Sequence, residues 1–423
     1  MCPRPVTFVN PGEKMSHIWQ DLRTGNWLTP ARIRNYALLV LAISVAGLIG
    51  LLATSDHMID RNGKPIGTDF SNVYAAGVLT LSGKAPDAYD PKLQHAAEIA
   101  VFEGRDVPFF GWHYPPFFLM VAALLALMPY GFALACWLAV SLPAFMAAVH
   151  SIVPRRETWL VTAAFPAVFV NVGHGQNGFF TAALLGGFLT LLDRRPALAG
   201  LCLGLLSYKP QFGILIPLVL LATGRWTTIV SAAATVIALI AMSTLMFGMN
   251  VWHAFAESAT FTRTIVLEAG GTGWEKIQSL FSAVRMWGGG IDLAYAAQAA
   301  LALMLAVTII RLWRSQAAFE LKAAALAIAS LLATPYVLDY DLVVLGIAIA
   351  FLARHGFARG FHPYEISLLA LAWAAPFLTR SIAGLSGIPL GLFVMIALYA
   401  MTLRRAASDL GIHAIGSSRL VKA

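Results

Sequence analysis

Apolar runs broken by short basic clusters constrain this chain more than any other feature. From residue 36 onward, apolar stretches of about 14 to 22 residues recur without the alternation of a strand. Within lipid, every backbone N–H and C=O has to be satisfied internally, which leaves helices or a closed barrel. The lack of alternation selects helices. Hydrophobic residues make up 59% of the chain and charged residues 12%, with mean hydropathy +0.73. The sequence therefore predicts an all-α polytopic membrane protein, a bundle of about 11–13 transmembrane or re-entrant helices. Helices are expected near 36–54, 115–129, 131–151, 158–172, 178–192, 196–207, 210–223, 227–248, 293–313, 319–334, 338–353, 365–380 and 385–403. No internal repeat or low-complexity segment accompanies them.

The net charge of +8 does not signal nucleic acid. The basic residues cluster between helices at Arg32/Arg34, Arg155/Arg156, Arg194/Arg195, Arg225, Arg311/Arg314, Arg354/Arg359 and Arg404/Arg405. The positive-inside rule puts such clusters in the cytoplasm. Residues 1–35 and 405–423 then read as cytoplasmic tails flanking one integral membrane domain, 36–404, in a bacterial cytoplasmic membrane. Tyr36–Thr54 reads as an uncleaved signal anchor. The loop 55–113, the loop 249–292 and the turns 173–177, 208–211 and 335–341 fall outside. One conflict stands. Two helices in 115–151, split at Pro129-Tyr130-Gly131, would leave Arg155/Arg156 outside. Either one segment is re-entrant or that pair breaks the rule. Three scattered cysteines, Cys2, Cys136 and Cys202, make neither a disulfide framework nor a metal site.

Within the first outer loop, Phe70, Val73, Tyr74, Gly77, Val78 and Leu81 recur at helical spacing. Asp90-Pro91 is a helix start, with Asp as cap and Pro at the first position. Two amphipathic helices lying in the interface are expected there.

Polar side chains gather at the outer turns. Asp69, just beyond the first span, suits a general base toward a lipid-borne hydroxyl; by position alone a helix cap is the preferred reading, with Thr68 competing. Gly173-His174-Gly175-Gln176-Asn177-Gly178 combines small residues, three hydrogen-bonding side chains and a helix start that attracts anions. Its ordinary reading is a tight turn capped by Asn177. In Ser207-Tyr208-Lys209-Pro210-Gln211, a lysine at membrane depth calls for an anionic partner, a lipid phosphate first; the alternative is a snorkelling interfacial lysine. Thr334-Pro335-Tyr336-Val337-Leu338-Asp339-Tyr340-Asp341 holds an Asp-x-Asp, read mainly as helix capping beside a sugar-stacking tyrosine pair. Tyr114-Pro115-Pro116 sets the angle of re-entry, with His113 and Tyr114 lining a cavity. Trp252, His253, Trp274 and Trp287 read as interfacial anchors, and Arg263 and Glu275 as residues of a solvated loop.

Asp69-Phe70…Tyr74, Gly83…Tyr89-Asp90, Tyr114-Pro115-Pro116, Gly175-Gln176-Asn177 and Lys209-Pro210-Gln211, in that order, resemble glycosyltransferase family 87. This is a GT-C family of polytopic, polyprenyl-phosphate-sugar-dependent enzymes. The resemblance spans roughly 36–350 and implies an inverting transfer. A hexose, usually mannose, passes from a polyprenyl phosphate to a glycolipid or polysaccharide hydroxyl at the outer face. It implies Asp69 as general base, reversing the preference for a cap. It implies Lys209, Gln176, His174 and Asn177 around the donor phosphate. Tyr74, Tyr114, Gln211, Tyr336, Asp339 and Asp341 are then expected near sugar or acceptor, with no cofactor and no metal ligand assigned. A transporter or flippase of lipid-linked saccharides is the main rival, and it would call for repeats. A membrane acyltransferase would call for a His-centred base, for which His174 is the sole candidate.

Overall fold

The structure is a computed structural model that describes residues 11–420. Among them are 19 α-helices and no β-strand. Helices α1 (Pro11–Thr24) and α2 (Pro30–Ala53) open the chain. The segment expected as a tail is thus largely helical, and the first span starts six residues early. The Thr29 hydroxyl accepts from Arg32 N at 3.3 Å, and Pro30 occupies the first turn, where its missing N–H costs nothing. Residues 1–10 of the expected tail lie outside the described residues.

The first outer loop folds into α3 (Thr68–Leu81), a 3-10 turn (Ala85–Tyr89) and α4 (Pro91–Val101). Asp90 caps α4 as expected, accepting from Lys92 N at 2.8 Å and Leu93 N at 3.0 Å. Phe70, Val73 and Gly77 face inward, whereas Leu81 is half exposed. Ser71, Asn72, Ala75, Ala76 and Thr80 are buried as well. Helix α3 is therefore enclosed on most sides and does not lie flat at an interface: α4, and next α5 (Phe118–Ala126), pack over it.

Helix α5 has 9 residues, about 13 Å at 1.5 Å per residue, against a hydrocarbon core of ~30 Å. It cannot cross. Helix α6 (Tyr130–Ile152, 23 residues) is long enough alone. The conflict over 115–151 thus resolves toward re-entry, with the first loop and Arg155/Arg156 at opposite ends of α6.

The expected helix at 158–172 breaks at Pro166 into α7 (Arg156–Ala163) and α8 (Pro166–His174), because the residue before proline leaves the helical region. Then come α9 (Gly178–Leu191) and α10 (Pro196–Leu205), two 3-10 turns around Lys209, and α11 (Ile216–Ala222). Helix α12 (Trp226–Phe247) leads to the second loop, which holds α13 (Asn250–Phe261), a π-helix (Thr262–Glu268) and α14 (Leu280–Met286). Helices α15 (Ile291–Arg314), α16 (Phe319–Leu332), α17 (Leu345–Arg359), α18 (Glu365–Ser386) and α19 (Leu390–Leu420) complete the bundle. The expected C-terminal tail continues α19 instead.

Seven of the described helical segments are long and apolar enough to cross a membrane. The alanine-rich α16 sits at the centre, with every residue from Ala323 to Leu332 buried. Small side chains there let α15, α17 and α19 approach closely. A second, aromatic cluster (Phe70, Trp112, Tyr114, Phe118, Tyr130, Trp137, Tyr208) packs the 55–113 loop against α5, α6 and the turn before Lys209.

Candidate functional site

Two glycines in the left-handed region bring the outer turns together. Gly67 (φ 74°) precedes α3 and Gly175 (φ 60°) ends α8. A Cβ on Gly175 would sit 2.6 Å from Phe70 Cβ and 3.4 Å from Gly67 Cα. Only glycine permits both the backbone conformation and this approach. The Gly175 turn was expected to admit a ligand; it admits the first outer loop. Tyr130 donates to Ile66 O at 2.7 Å and Trp137 Nε1 to Gly175 O at 3.1 Å, pinning both turns to α6.

Asp69 therefore meets Gln176. Gln176 Nε2 donates to Asp69 Oδ2 at 2.9 Å, and Gln176 Oε1 accepts from Asn177 N at 2.7 Å and Tyr114 OH at 3.3 Å. Asp69 Oδ1 accepts no hydrogen bond among the described residues. Beside this pair, Thr68 Oγ1 lies 2.6 Å from His174 Nδ1. Neither Thr68 nor Asp69 caps α3, whose N-cap is Gly67 without a side-chain bond. The amide of Gln176 and one nitrogen of His174 are thus engaged within the protein, not left open toward a phosphate. Asn177 is buried with both amide atoms unpartnered and caps nothing with its side chain.

Lys209 finds its anion within the chain. Its Nζ donates to Asp341 Oδ1 at 2.7 Å, with both side chains buried, and lies 5.2 Å from the Tyr340 ring. Asp341 Oδ2 accepts from Leu338 N at 3.1 Å, so capping and ion pairing share one carboxylate. Asp339 turns elsewhere. Its Oδ1 accepts from Tyr340 N at 2.9 Å and its backbone N donates to Lys276 O at 3.0 Å. The two carboxylates of the Asp-x-Asp do not converge, and among the described residues no group of three or more His, Cys, Asp or Glu has metal-binding geometry.

The remaining expected residues divide. Tyr114 reaches the Gln176 amide, and Tyr336 lies beside it, half-buried at the turn before Asp339. Burial and the nearby Asp69 push both phenols upward. The Tyr74 hydroxyl donates to Met128 O at 2.8 Å, beyond the end of α5, and so is engaged within the protein. Gln211 makes no side-chain hydrogen bond among the described residues.

Three residues escape sequence patterning. Lys276 belongs to a loop that reads as solvated, yet an isolated bridge between Ile277 and Leu338 carries it to the Asp339 turn. Burial, then Arg380, push its ammonium below the usual lysine range; Asp69 and Asp339 oppose this and Lys64 adds to it. Arg380, exposed on α18, goes unread in the sequence, although an ionisable residue inside an apolar span is a signal that could have found it. Glu98 is buried on α4; desolvation raises its carboxyl to about 8, against a bond from Phe110 N, with Asp69 adding to the rise. Across the site, His113 Nδ1 lies 2.8 Å from Thr262 Oγ1 and joins the two outer loops. Burial lowers its imidazole to about 4 against the pull of Asp69.

The arrangement holds one carboxylate oxygen free, oriented by an amide, among aromatic rings and uncompensated cations. It suits proton abstraction beside an anionic leaving group. The family model of glycosyltransferase family 87 matches residues 112–335. No curated protein and no solved structure matches the chain.

Proposed function

The chain belongs to glycosyltransferase family 87 and is a membrane glycosyltransferase; from that premise we propose that it moves a hexose, mannose first, from a polyprenyl-phosphate sugar to a glycolipid or polysaccharide hydroxyl. The positive-inside rule, applied to the basic clusters at Arg155/Arg156, Arg194/Arg195 and Arg311/Arg314, supports a reaction at the outer face of a bacterial cytoplasmic membrane. The observation that carries this reading is the Asp69–Gln176 pair at the junction of the outer turns.

Gln176 holds Asp69 Oδ2, leaving Oδ1 to accept the proton of the acceptor hydroxyl. The acceptor oxygen attacks the anomeric carbon from the face opposite the phosphate. The bond from the anomeric carbon to the phosphate oxygen breaks, and its electron pair leaves with the polyprenyl phosphate. Configuration inverts, and the proton later passes from Asp69 to solvent. Tyr114 steadies the far end of the Gln176 amide and so acts as a positioning residue.

The test is sugar transfer in membranes carrying wild type, Asp69→Asn or Gln176→Ala, supplied with polyprenyl-phosphate-mannose and a panel of glycolipid acceptors. A positioned base contributes ~10²–10⁴-fold, so Asp69→Asn is expected to lose at least two orders of magnitude in kcat while still binding donor. Gln176→Ala should lose less. Transfer at wild-type rate by Asp69→Asn would remove Asp69 from the mechanism.

A further inference from the structure

We propose that the phosphate of the lipid donor binds at Lys276 and Arg380, and that Lys209 serves as an internal lock, not as the phosphate ligand. This rests on the donor class proposed above.

Lys209 is unsuited to the role. Its charge is already matched by Asp341 at 2.7 Å, with side-chain exposures of 5% and 1%. A phosphate placed there would meet a neutral pair and have to displace a carboxylate that also holds Leu338 N. Breaking a buried pair exposes an uncompensated charge, which is strongly unfavourable.

Lys276 and Arg380 are the opposite case. Asp339 N donates to Lys276 O at 3.0 Å and Gln278 N to Val337 O at 2.7 Å, so this stretch runs directly along the Asp339 turn. Gln278 Oε1 accepts from Thr379 Oγ1 at 2.6 Å, which ties the same stretch to α18. Arg380 follows Thr379. It shares a helix face with Gly384 one turn on, and Glu275 Cγ packs 3.7 Å from the Cβ position of Gly384. Lys276 is half-buried. Neither Lys276 nor Arg380 has an ion pair or side-chain hydrogen bond among the described residues, and Glu275 pairs with neither. Arg263, in the same second loop, is by contrast matched by Glu268 at 3.6 Å.

Two unmatched cations on adjoining stretches, Lys276 half-buried and Arg380 exposed, repel each other until an anion arrives. Lys64, on the first outer loop, adds a third positive charge; burial lowers the basicity of Lys276 first, and Arg380 and Lys64 add to that. The Asp339 turn that Lys276 follows adjoins the base: the Tyr340 ring lies 5.9 Å from that of His174, which meets Thr68 beside Asp69. A phosphodiester brings one negative charge there and gains another when the sugar leaves. Cations fixed where charge develops favour that step.

The test is binding of undecaprenyl phosphate to the full-length protein in detergent, by microscale thermophoresis, with inorganic phosphate and phosphatidylglycerol as competitors. Charge-assisted hydrogen bonds contribute about 1.5–3 kcal/mol each, so Lys276→Ala and Arg380→Ala should each weaken binding ~10–100-fold. Lys276→Arg should retain most affinity, and exposed Lys84→Ala should change nothing. Melting temperatures identify any variant that has lost its fold, and Lys276→Gln and Arg380→Gln replace it. Undiminished affinity in Lys276→Ala and Arg380→Ala, or displacement by phosphatidylglycerol at matching concentration, overturns the assignment and leaves the transfer reaction untouched. Failure of wild type to bind undecaprenyl phosphate at all overturns the donor class, and this subsite with it.

Discussion

Glutamine in place of Glu98 should make the protein more stable at alkaline pH. The Glu98 side chain is 0% exposed, and Phe110 N donates to its two oxygens at 3.0 and 3.3 Å. One N–H does not offset desolvation of a carboxylate, so the folded group titrates at about 8 instead of 4.5. Between those values the folded protein keeps a proton that the unfolded chain releases. Stability present below pH 4.5 is therefore lost as pH rises, at about 1.4 kcal/mol per pH unit, reaching ~5 kcal/mol near pH 8. Glutamine keeps the shape and the acceptor for Phe110 N but has no proton to lose. Unfolding in detergent, followed by tryptophan fluorescence at each pH from 5 to 9, measures the difference. Glu98→Gln is expected to gain on wild type from pH 5 to about 8 and to level off above it, apart from a constant offset for its extra N–H. Parallel curves for the two proteins would refute the argument, because Glu98 would then ionise as readily folded as unfolded.

Asp341→Asn should cost about 3–5 kcal/mol by stranding the Lys209 charge, and Lys209→Met with Asp341→Leu should recover most of that; strict additivity in a double-mutant cycle would show that the two do not interact. Gly77→Val should cost about 1–3 kcal/mol, since a Cβ at Gly77 overlaps the Ala122 carbonyl, while Gly47→Ala on α2, with nothing within 4 Å, should not lower the melting temperature. Equal melting temperatures for the two glycine variants would contradict the close packing of α3 on α5. Because the Lys276 ammonium is held below the usual range, undecaprenyl phosphate affinity should fall with rising pH before an ordinary lysine titrates. Lys276→Arg should abolish that fall, and an identical profile in both proteins would exclude Lys276 as its source.

Helix type, most helix positions and the cap at Asp90 were legible in the chain because each depends on neighbours within one turn. So was the identity of the outer turns as the place where polar residues gather, since lipid excludes such side chains from the spans. Which of those residues meet was not legible. Lys209 and Asp341 are 132 positions apart, and no local rule says that an anion for Lys209 lies on the chain and not on a lipid. Lys276 reads as a solvated residue until the bridge to Leu338 carries it inward. Helix α5 reads as a span because its apolar run extends past Pro115-Pro116 and Leu127, yet only nine residues of that run coil. Periodicity and composition determined that this chain enters a membrane as helices whose polar side chains gather at the turns between them. Pairing across those helices depends on where rigid elements come to rest against one another, and packing alone decided it.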